Sequence, residues 1–330
     1  MKINSFYLVL HAFDKIIFTM VRFYIFIALV FIFVSCAENK IDDIVKVNTS
    51  SGTENSLDII TWNLEWFPKN IKSIDYVADI IVDLSFDIFG LQEITSTEDF
   101  NSLIKRINEL DDINNWVGFR SGNGDYQELA YIVNTTTIQI VDTPSSILND
   151  DSHYFAYREP YLIKFLYNKH EIIMINTHFK CCGDGILKEE YNDEEFRRQK
   201  ASESLKKYID TNYSESNIII IGDMNDNLSD DINNNIFLCF IEDEENYMFV
   251  DLDIAYGPSE NFSWPGYNSN YSSSHLDHIL ITNELFDEYY NFGSITETLH
   301  FENYMAGGWN EYETYISDHR AVGLKLYINP

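Results

Sequence analysis

The chain has 330 residues and a formal net charge of −31 at neutral pH, with 22 Lys and Arg against 53 Asp and Glu. Such a balance repels nucleic acids and phosphate-rich surfaces at long range, and it argues against tight non-specific binding to a DNA backbone, which needs a basic footprint. It does not exclude a nuclease, because bound divalent cations reverse the field locally.

Phe23 to Val34 is almost wholly apolar, preceded by Arg22 and followed by Ser35-Cys36. A charged start, an apolar stretch and a small residue before a cysteine resemble a bacterial lipoprotein signal. On that resemblance residues 1–36 hold a signal peptide cleaved before Cys36, which is lipidated and becomes the new N-terminus. The stretch Phe33-Val34-Ser35-Cys36 lacks the usual leucine, and a start at Met20 gives a signal of more ordinary length. An N-terminal membrane anchor is the alternative, although the stretch is short for spanning. The expected location is outside the cytoplasm, lipid-anchored at the outer membrane or cell surface, or secreted. Residues 37–56 are polar and read as a flexible tether. Residues 57–330 suffice for one domain with a full core. Cys181, Cys182 and Cys239 then remain, and a vicinal bridge, a pairing with Cys239 and free thiols all stay open.

Short apolar strands are predicted at Ile59 to Trp62, Ile88 to Leu91, Leu129 to Val133 and Tyr161 to Phe165. Others follow at Ile172 to Ile175, Ile218 to Ile221, Ile279 to Ile281 and Val322 to Leu326. Ile71, Ile74, Val77, Ile81 and Leu84 share one helical face, as do Phe100, Leu103, Ile104, Ile107 and Leu110. Glu189 to Ile209 is a charged helix, read as a solvated face despite Arg197, Arg198 and Lys200. Strands mixed with helical crossovers predict α/β layers, two sheets covered by helices.

Polar residues recur at the strand ends. Asn63 and Glu65 follow the first strand, and Gln92 and Glu93 the second. Glu128 opens the third, and Arg158-Glu159-Pro160 the fourth. Thr177-His178 closes the fifth. Gly222 is expected to let the chain leave the sixth, placing Asp223 and Asn225 at spacing two on one side. Asp277 lies in His275-Leu276-Asp277-His278, and Ser317-Asp318-His319 precedes the last strand. Singly these are ordinary loop residues. Together they supply hard oxygen ligands in Glu65, Glu93 and Asp318, two imidazoles that exchange protons near neutrality, and phosphate donors in Asn63, Asn225 and Arg158.

This order resembles the endonuclease/exonuclease/phosphatase family, through Trp62-Asn63-x-Glu65, Leu91-Gln92-Glu93, Thr177-His178, Gly222-Asp223-x-Asn225, Leu276-Asp277-His278-Ile279 and Ser317-Asp318-His319. Arg158-Glu159-Pro160 also resembles its pancreatic DNase branch. The resemblance implies a four-layer αββα sandwich of the DNase type with its site at one edge of the paired sheets. It implies a metal, Mg²⁺ with Ca²⁺ or Mn²⁺ as alternatives, on Glu93 with Glu65 and with Asn63 or Asp318. It casts His319 as the base, oriented by Asp277, and His178 as the opposed acid or phosphate donor, oriented by Glu128. Asp223 and Asn225 would position the nucleophile and the scissile phosphate.

The remaining histidines, His153, His170 and His300, read as surface or packing residues. His275 and His278 flank Asp277, and the less favoured option puts one near the phosphate. Lys180 reads as a surface residue, and the loop from Phe262 to Tyr267 as packing before substrate contact. The leading expectation is an extracellular DNA endonuclease acting as a monomer, with no obligate protein partner and a membrane contact through Cys36. A phospholipid or sugar-phosphate hydrolase of the same fold is the alternative, and a surface binding protein without chemistry is the third.

Overall fold

The structure is a computed structural model that describes residues 56–122, 126–266 and 272–328. The expected signal peptide, the expected lipidation site Cys36, most of the expected tether and Tyr267 lie outside the described residues. No helix among the described residues is long and apolar enough to cross a membrane.

Two six-stranded sheets form the centre. The first runs, in spatial order, Ile295–Leu299 (β11), Ala321–Tyr327 (β12), Ser56–Phe67 (β1), Ile88–Ile94 (β2), Glu128–Asn134 (β4) and Trp116–Arg120 (β3). The second runs Gln139–Ser146 (β5), Tyr161–Tyr167 (β6), His170–His178 (β7), Ile218–Asp223 (β8), Asp277–Thr282 (β10) and Tyr247–Phe249 (β9). Each sheet has one parallel pair among its inner strands, β1 with β2 and β7 with β8. A parallel pair needs a crossover. Ser73–Leu84 (α1) lies between the strands of the first pair, and Glu194–Asn212 (α3) between those of the second.

The four isoleucines of β8 show why the layers stack. Ile219 and Ile221 join Leu57, Ile59, Leu129, Met174 and Leu324 in the core between the sheets. Ile218 and Ile220 point the other way, into a second core with Ala201, Leu205 and Ile209 of α3. A strand covered on both faces reads as a continuous apolar run. On the far side, Phe100 and Ile104 of Thr97–Leu110 (α2) fill the space where a Cβ on Gly118 of β3 would sit. The result is helix, sheet, sheet, helix. Ser96 and Asp193 cap α2 and α3 by accepting the N–H groups of Asp99 and Phe196. Helix α1 starts at Ser73, so Ile71 precedes it and is exposed rather than on its buried face.

Candidate active site

The site is built where central strands end. β1 and β2 pair in register up to Asn63 and Gln92, and the register then shifts before Phe67 and Ile94. Glu65, Trp66 and Glu93 have positive φ. Such bulges re-aim side chains at a sheet edge. Here they turn both glutamates toward one opening. Glu93 accepts the Trp66 N–H at 2.9 Å through Oε2 and the Asn63 Nδ2 at 3.3 Å through Oε1. Asn63 also donates to Asp223 Oδ2 at 2.8 Å, and its own oxygen accepts the Glu65 N–H at 2.9 Å. The carboxamide therefore ties two carboxylates together across the sheets.

β7 and β8 end side by side, with His178 opposite Asp223 and Thr177 opposite Gly222. Gly222 stays within the strand and does not release the chain as its sequence position implied. Its need for glycine is both conformational and spatial: φ is +150°, and a Cβ there would lie 2.0 Å from the Thr177 carbonyl oxygen. Asn225 has φ +54°, so the segment after Asp223 is a turn and not an extended run. Asp223 Oδ1 accepts the Asn225 N–H at 3.0 Å, and Asn225 Nδ2 reaches the Phe179 carbonyl at 3.3 Å. His178 Nε2 lies 3.5 Å from Asp223 Oδ2 and 3.8 Å from Glu93 Oε1. Burial holds His178 well below the usual imidazole range, helped by Arg158 and His319.

His319 stands at the entry to β12. Its Nδ1 meets Asp277 Oδ2 at 2.7 Å, and its Nε2 lies 3.9 Å from both Asp223 Oδ2 and Asp318 Oδ1. Burial opposes charge on this imidazole, but Asp277, Asp223 and Asp318 outweigh it and raise its pKa well above the ordinary value. Burial pushes Asp223 up to about 7, against the pull of His319 and with Asp277 and Glu93 adding to the rise. Each of the two groups favours the charged form of the other. Their scaffold is polar and buried. Ser317 Oγ donates to the Asn63 carbonyl at 2.6 Å, and Tyr312 OH donates to the His319 carbonyl at 2.7 Å while accepting Trp62 Nε1 at 2.9 Å.

Glu65, Glu93, His178, Asp223, Asn225, Asp318 and His319 line one cavity of about 1100 Å³. Burial and then Asp318 push Glu65 up to about 7, against its contact with Lys69. This crowding of negative oxygen fits a divalent cation, and Glu93, Glu65 and Asp318 are the hard donors that suit Mg²⁺ or Ca²⁺. Asp223, Asp277 and His319 also bring ligand atoms within 4.8 Å of one another. Residues 60–319 match the sequence profile of the Endonuclease/Exonuclease/phosphatase family.

The chain belongs to that family. Its enzymes are divalent-metal-dependent hydrolases of phosphoric esters. No curated protein sequence matches the chain closely enough to place it nearer than the family. Solved structures match across the fold. D. rerio TDP2 complexed with single strand DNA product has 12% identity and a TM-score of 0.61, over 83% of this chain and 100% of that one. The Bacteroides thetaiotaomicron mannosyl-6-phosphatase has 16% identity and a TM-score of 0.53, over 83% and 100%. The human Nocturnin catalytic domain with bound sulfate anion has 12% identity and a TM-score of 0.55, over 82% and 93%. At these identities the likeness establishes the fold.

Several strand-end residues stand apart from this cavity. Glu128 accepts Ser121 Oγ at 2.7 Å, whereas His178 Nδ1 is buried with no partner among the described residues, so Glu128 does not orient it. Arg158 is buried and spends its guanidinium on the His178 and Phe179 carbonyls and on Gln127 Oε1. It braces the end of β7 and does not line the cavity. His275 and His278 both meet Asp251 Oδ2, at 2.9 and 2.6 Å, in a fully buried cluster. Lys180 Nζ donates to the Cys181 carbonyl at 2.7 Å. Cys181 and Cys182, by contrast, line the cavity, their sulfurs 3.0 Å apart as free thiols, and Cys239 is also free.

Other contributors had no expected site role, or, like Trp264, only a secondary one. Trp66 lines the cavity mouth, 53% exposed and edge-on to Tyr126. Trp264 also lines it, with Nε1 3.3 Å from Asp318 Oδ2. Gln92 Nε2 donates to Asn176 Oδ1 at 2.7 Å, and Asn176 Nδ2 donates to the Leu91 and Ala130 carbonyls, pinning the sheets together beneath the site. Arg198 and Glu195 of α3 are buried in the cavity wall, not on a solvated face.

Proposed function

We propose that this protein hydrolyses phosphoric esters with a divalent cation, and that it does so outside the cytoplasm, anchored through a lipid on Cys36. The observation that carries the chemistry is the convergence of His178, His319, Asp223, Asn225 and Glu93 on one cavity, with Asp277 behind His319. Glu93, Glu65 and Asp318 would hold a divalent cation, which would supply positive charge to the phosphate. Asp277 accepts Nδ1–H of His319, so Nε2 is turned to the side of Asp223. His319, with Nε2 beside Asp223, takes the proton of the attacking water. His178 faces Glu93 and Asp223 and donates to the phosphate or to the leaving oxygen. Asn63 holds Asp223 and Glu93 in place, and its oxygen is engaged by Glu65.

The wall chemistry bears on the substrate. Asp226, Asp230, Asp231 and Glu195 line the cavity beyond Asn225, and the arginine there is already paired. A long polyanion finds no basic track in such a wall. This favours a small ester, such as a phospholipid head group or a sugar phosphate, over the DNA endonuclease expected first. One observation keeps the DNA reading: the exposed Trp66 and Tyr126 at the mouth offer a stacking surface for bases. The D. rerio TDP2 structure with single strand DNA product and the mannosyl-6-phosphatase support one reading each. A panel of plasmid DNA, sphingomyelin, inositol phosphates and hexose phosphates, each with Mg²⁺ and with chelator, separates them. Cleavage of DNA alone returns the assignment to an endonuclease. Fatty-acid labelling of whole cells, lost in Cys36→Ser, tests the anchor.

A further inference from the structure

The cavity reaches well past the phosphate site. One residue beyond Asn225, Asp226 begins a second wall that continues through Asp230 and faces Cys182, Gly183 and Glu195. Glu195 is 2% exposed. Its Oε1 accepts the Gly185 N–H at 2.6 Å and faces Arg198 Nη2 at 3.4 Å. Its Oε2 is buried and has no partner among the described residues, although the residue lines the cavity. An unpaired buried carboxylate oxygen is costly, and a donor from a ligand removes that cost. Glycine at 183 is needed for this placement, because a Cβ there would lie 2.2 Å from Glu195 Oε1.

The one arginine among the described residues of the wall is already spent. Arg198 gives Nε to Asp226 Oδ2 at 2.7 Å and Nη1 to the Lys180 and Cys182 carbonyls at 2.8 and 2.7 Å. With Arg198 seated between Glu195 and Asp226, a second cation is disfavoured. What remains on offer is chiefly carboxylate acceptors, with neutral amides such as Asn227 and Asn234 beside them. A second phosphate is repelled there, and a neutral group rich in O–H donors is held.

We propose that this wall is a subsite for an uncharged, hydroxyl-bearing ring esterified to the phosphate, with Glu195 Oε2 and Asp230 accepting hydrogen bonds from its hydroxyls. The inference rests on the phosphoric ester hydrolase reading and names the substrate class for it. A site built to bond a hydroxyl discriminates strongly against an analogue that lacks it.

The test compares kcat/KM of the purified protein with Mg²⁺ on hexose 6-phosphate, as monoester and methyl diester, and on the matching cyclohexylmethyl phosphates. The wild type should favour the sugar esters by at least about tenfold. Glu195→Gln turns an acceptor into a donor and should cut turnover of the sugar esters by about 10- to 100-fold, the worth of one bond to a charged group, while the cyclohexylmethyl esters stay within about twofold. Asp230→Asn, on the other wall, should show the same selectivity and serves if Glu195→Gln fails to fold. Equal rates on both ester types, an equal loss on both, or a change only in the Mg²⁺ requirement overturns the subsite. Hydrolysis of no ester at all overturns the parent reading instead, and the subsite with it.

Discussion

Asp277→Asn keeps the shape of a fully buried side chain and removes its charge. In the native protein Asp277 Oδ2 accepts from His319 Nδ1 at 2.7 Å, which fixes the tautomer and turns Nε2 to the reaction side. An asparagine can present its NH₂ to Nδ1 instead, and that forces the proton onto Nε2, the wrong nitrogen for accepting one. The expected loss in kcat is ~10²–10⁴-fold, or about 3–5 kcal/mol at 1.36 kcal/mol per decade. KM should hold, because Asp277 does not line the cavity. The assay is steady-state release of phosphate or alcohol from a phosphate ester with Mg²⁺, on protein whose circular dichroism matches the wild type. Asp251→Asn is the matched control, a second buried carboxylate on imidazole nitrogens that stand outside the cavity. It should lower stability by about 3–5 kcal/mol, a fall in Tm on the order of 10 °C, and leave kcat within about threefold. A folded Asp277→Asn with near-native kcat, or a folded Asp251→Asn with an equally deep loss, refutes the division of labour.

Glu93→Gln should weaken metal binding and reduce turnover by about 100-fold or more, partly recovered by raising Mg²⁺, and chelation of the wild type should abolish activity reversibly. Metal titrations of activity check both, and a chelator-resistant wild type contradicts them. Arg158→Met should lower stability by about 3 kcal/mol by leaving the His178 and Phe179 carbonyls unsatisfied. A tenfold rise in KM with unchanged Tm would instead place Arg158 on the phosphate. His278 presents Nδ1 to Asp251 and Nε2 to the Asp226 carbonyl, so both nitrogens donate and the ring is charged. Burial lowers its pKa, but Asp251 overrides this and raises it. Its stabilisation is therefore full below about pH 6.5 and fades as pH rises through the raised pKa. Tm should fall across that alkaline window in the wild type, and the slope should be shallower in His278→Gln.

The strands legible in the sequence are the inner ones. β1, β2, β4, β6, β7, β8, β10 and β12 carry apolar runs because they are covered on one or both faces. The unread strands, β3, β5, β9 and β11, are the four sheet edges. Gln139–Ser146 and Ile295–Leu299 leave most of their residues outside the core and show no apolar run, and Tyr247–Phe249 is apolar but only three residues long. The same limit governs the site. Strand ends told which residues gather at one end of the sheets but not which way each side chain turns. Asn63, Glu65 and Glu93 are aimed by bulges that composition does not announce. Glu128 and Arg158 sit at equivalent ends and point elsewhere. The charges of α3 carry no direction in the sequence, so the burial of Glu195 and Arg198 is not legible there.

The most direct test of the account is hydrolysis by the purified protein across the ester panel, with Mg²⁺, with chelator, and with His319→Ala alongside. The account predicts Mg²⁺-dependent turnover of at least one phosphoric ester, abolished by chelator and reduced ~10²–10⁴-fold in the variant. Turnover of no ester with Mg²⁺, Mn²⁺ or Ca²⁺ present, or an equally active His319→Ala, contradicts it.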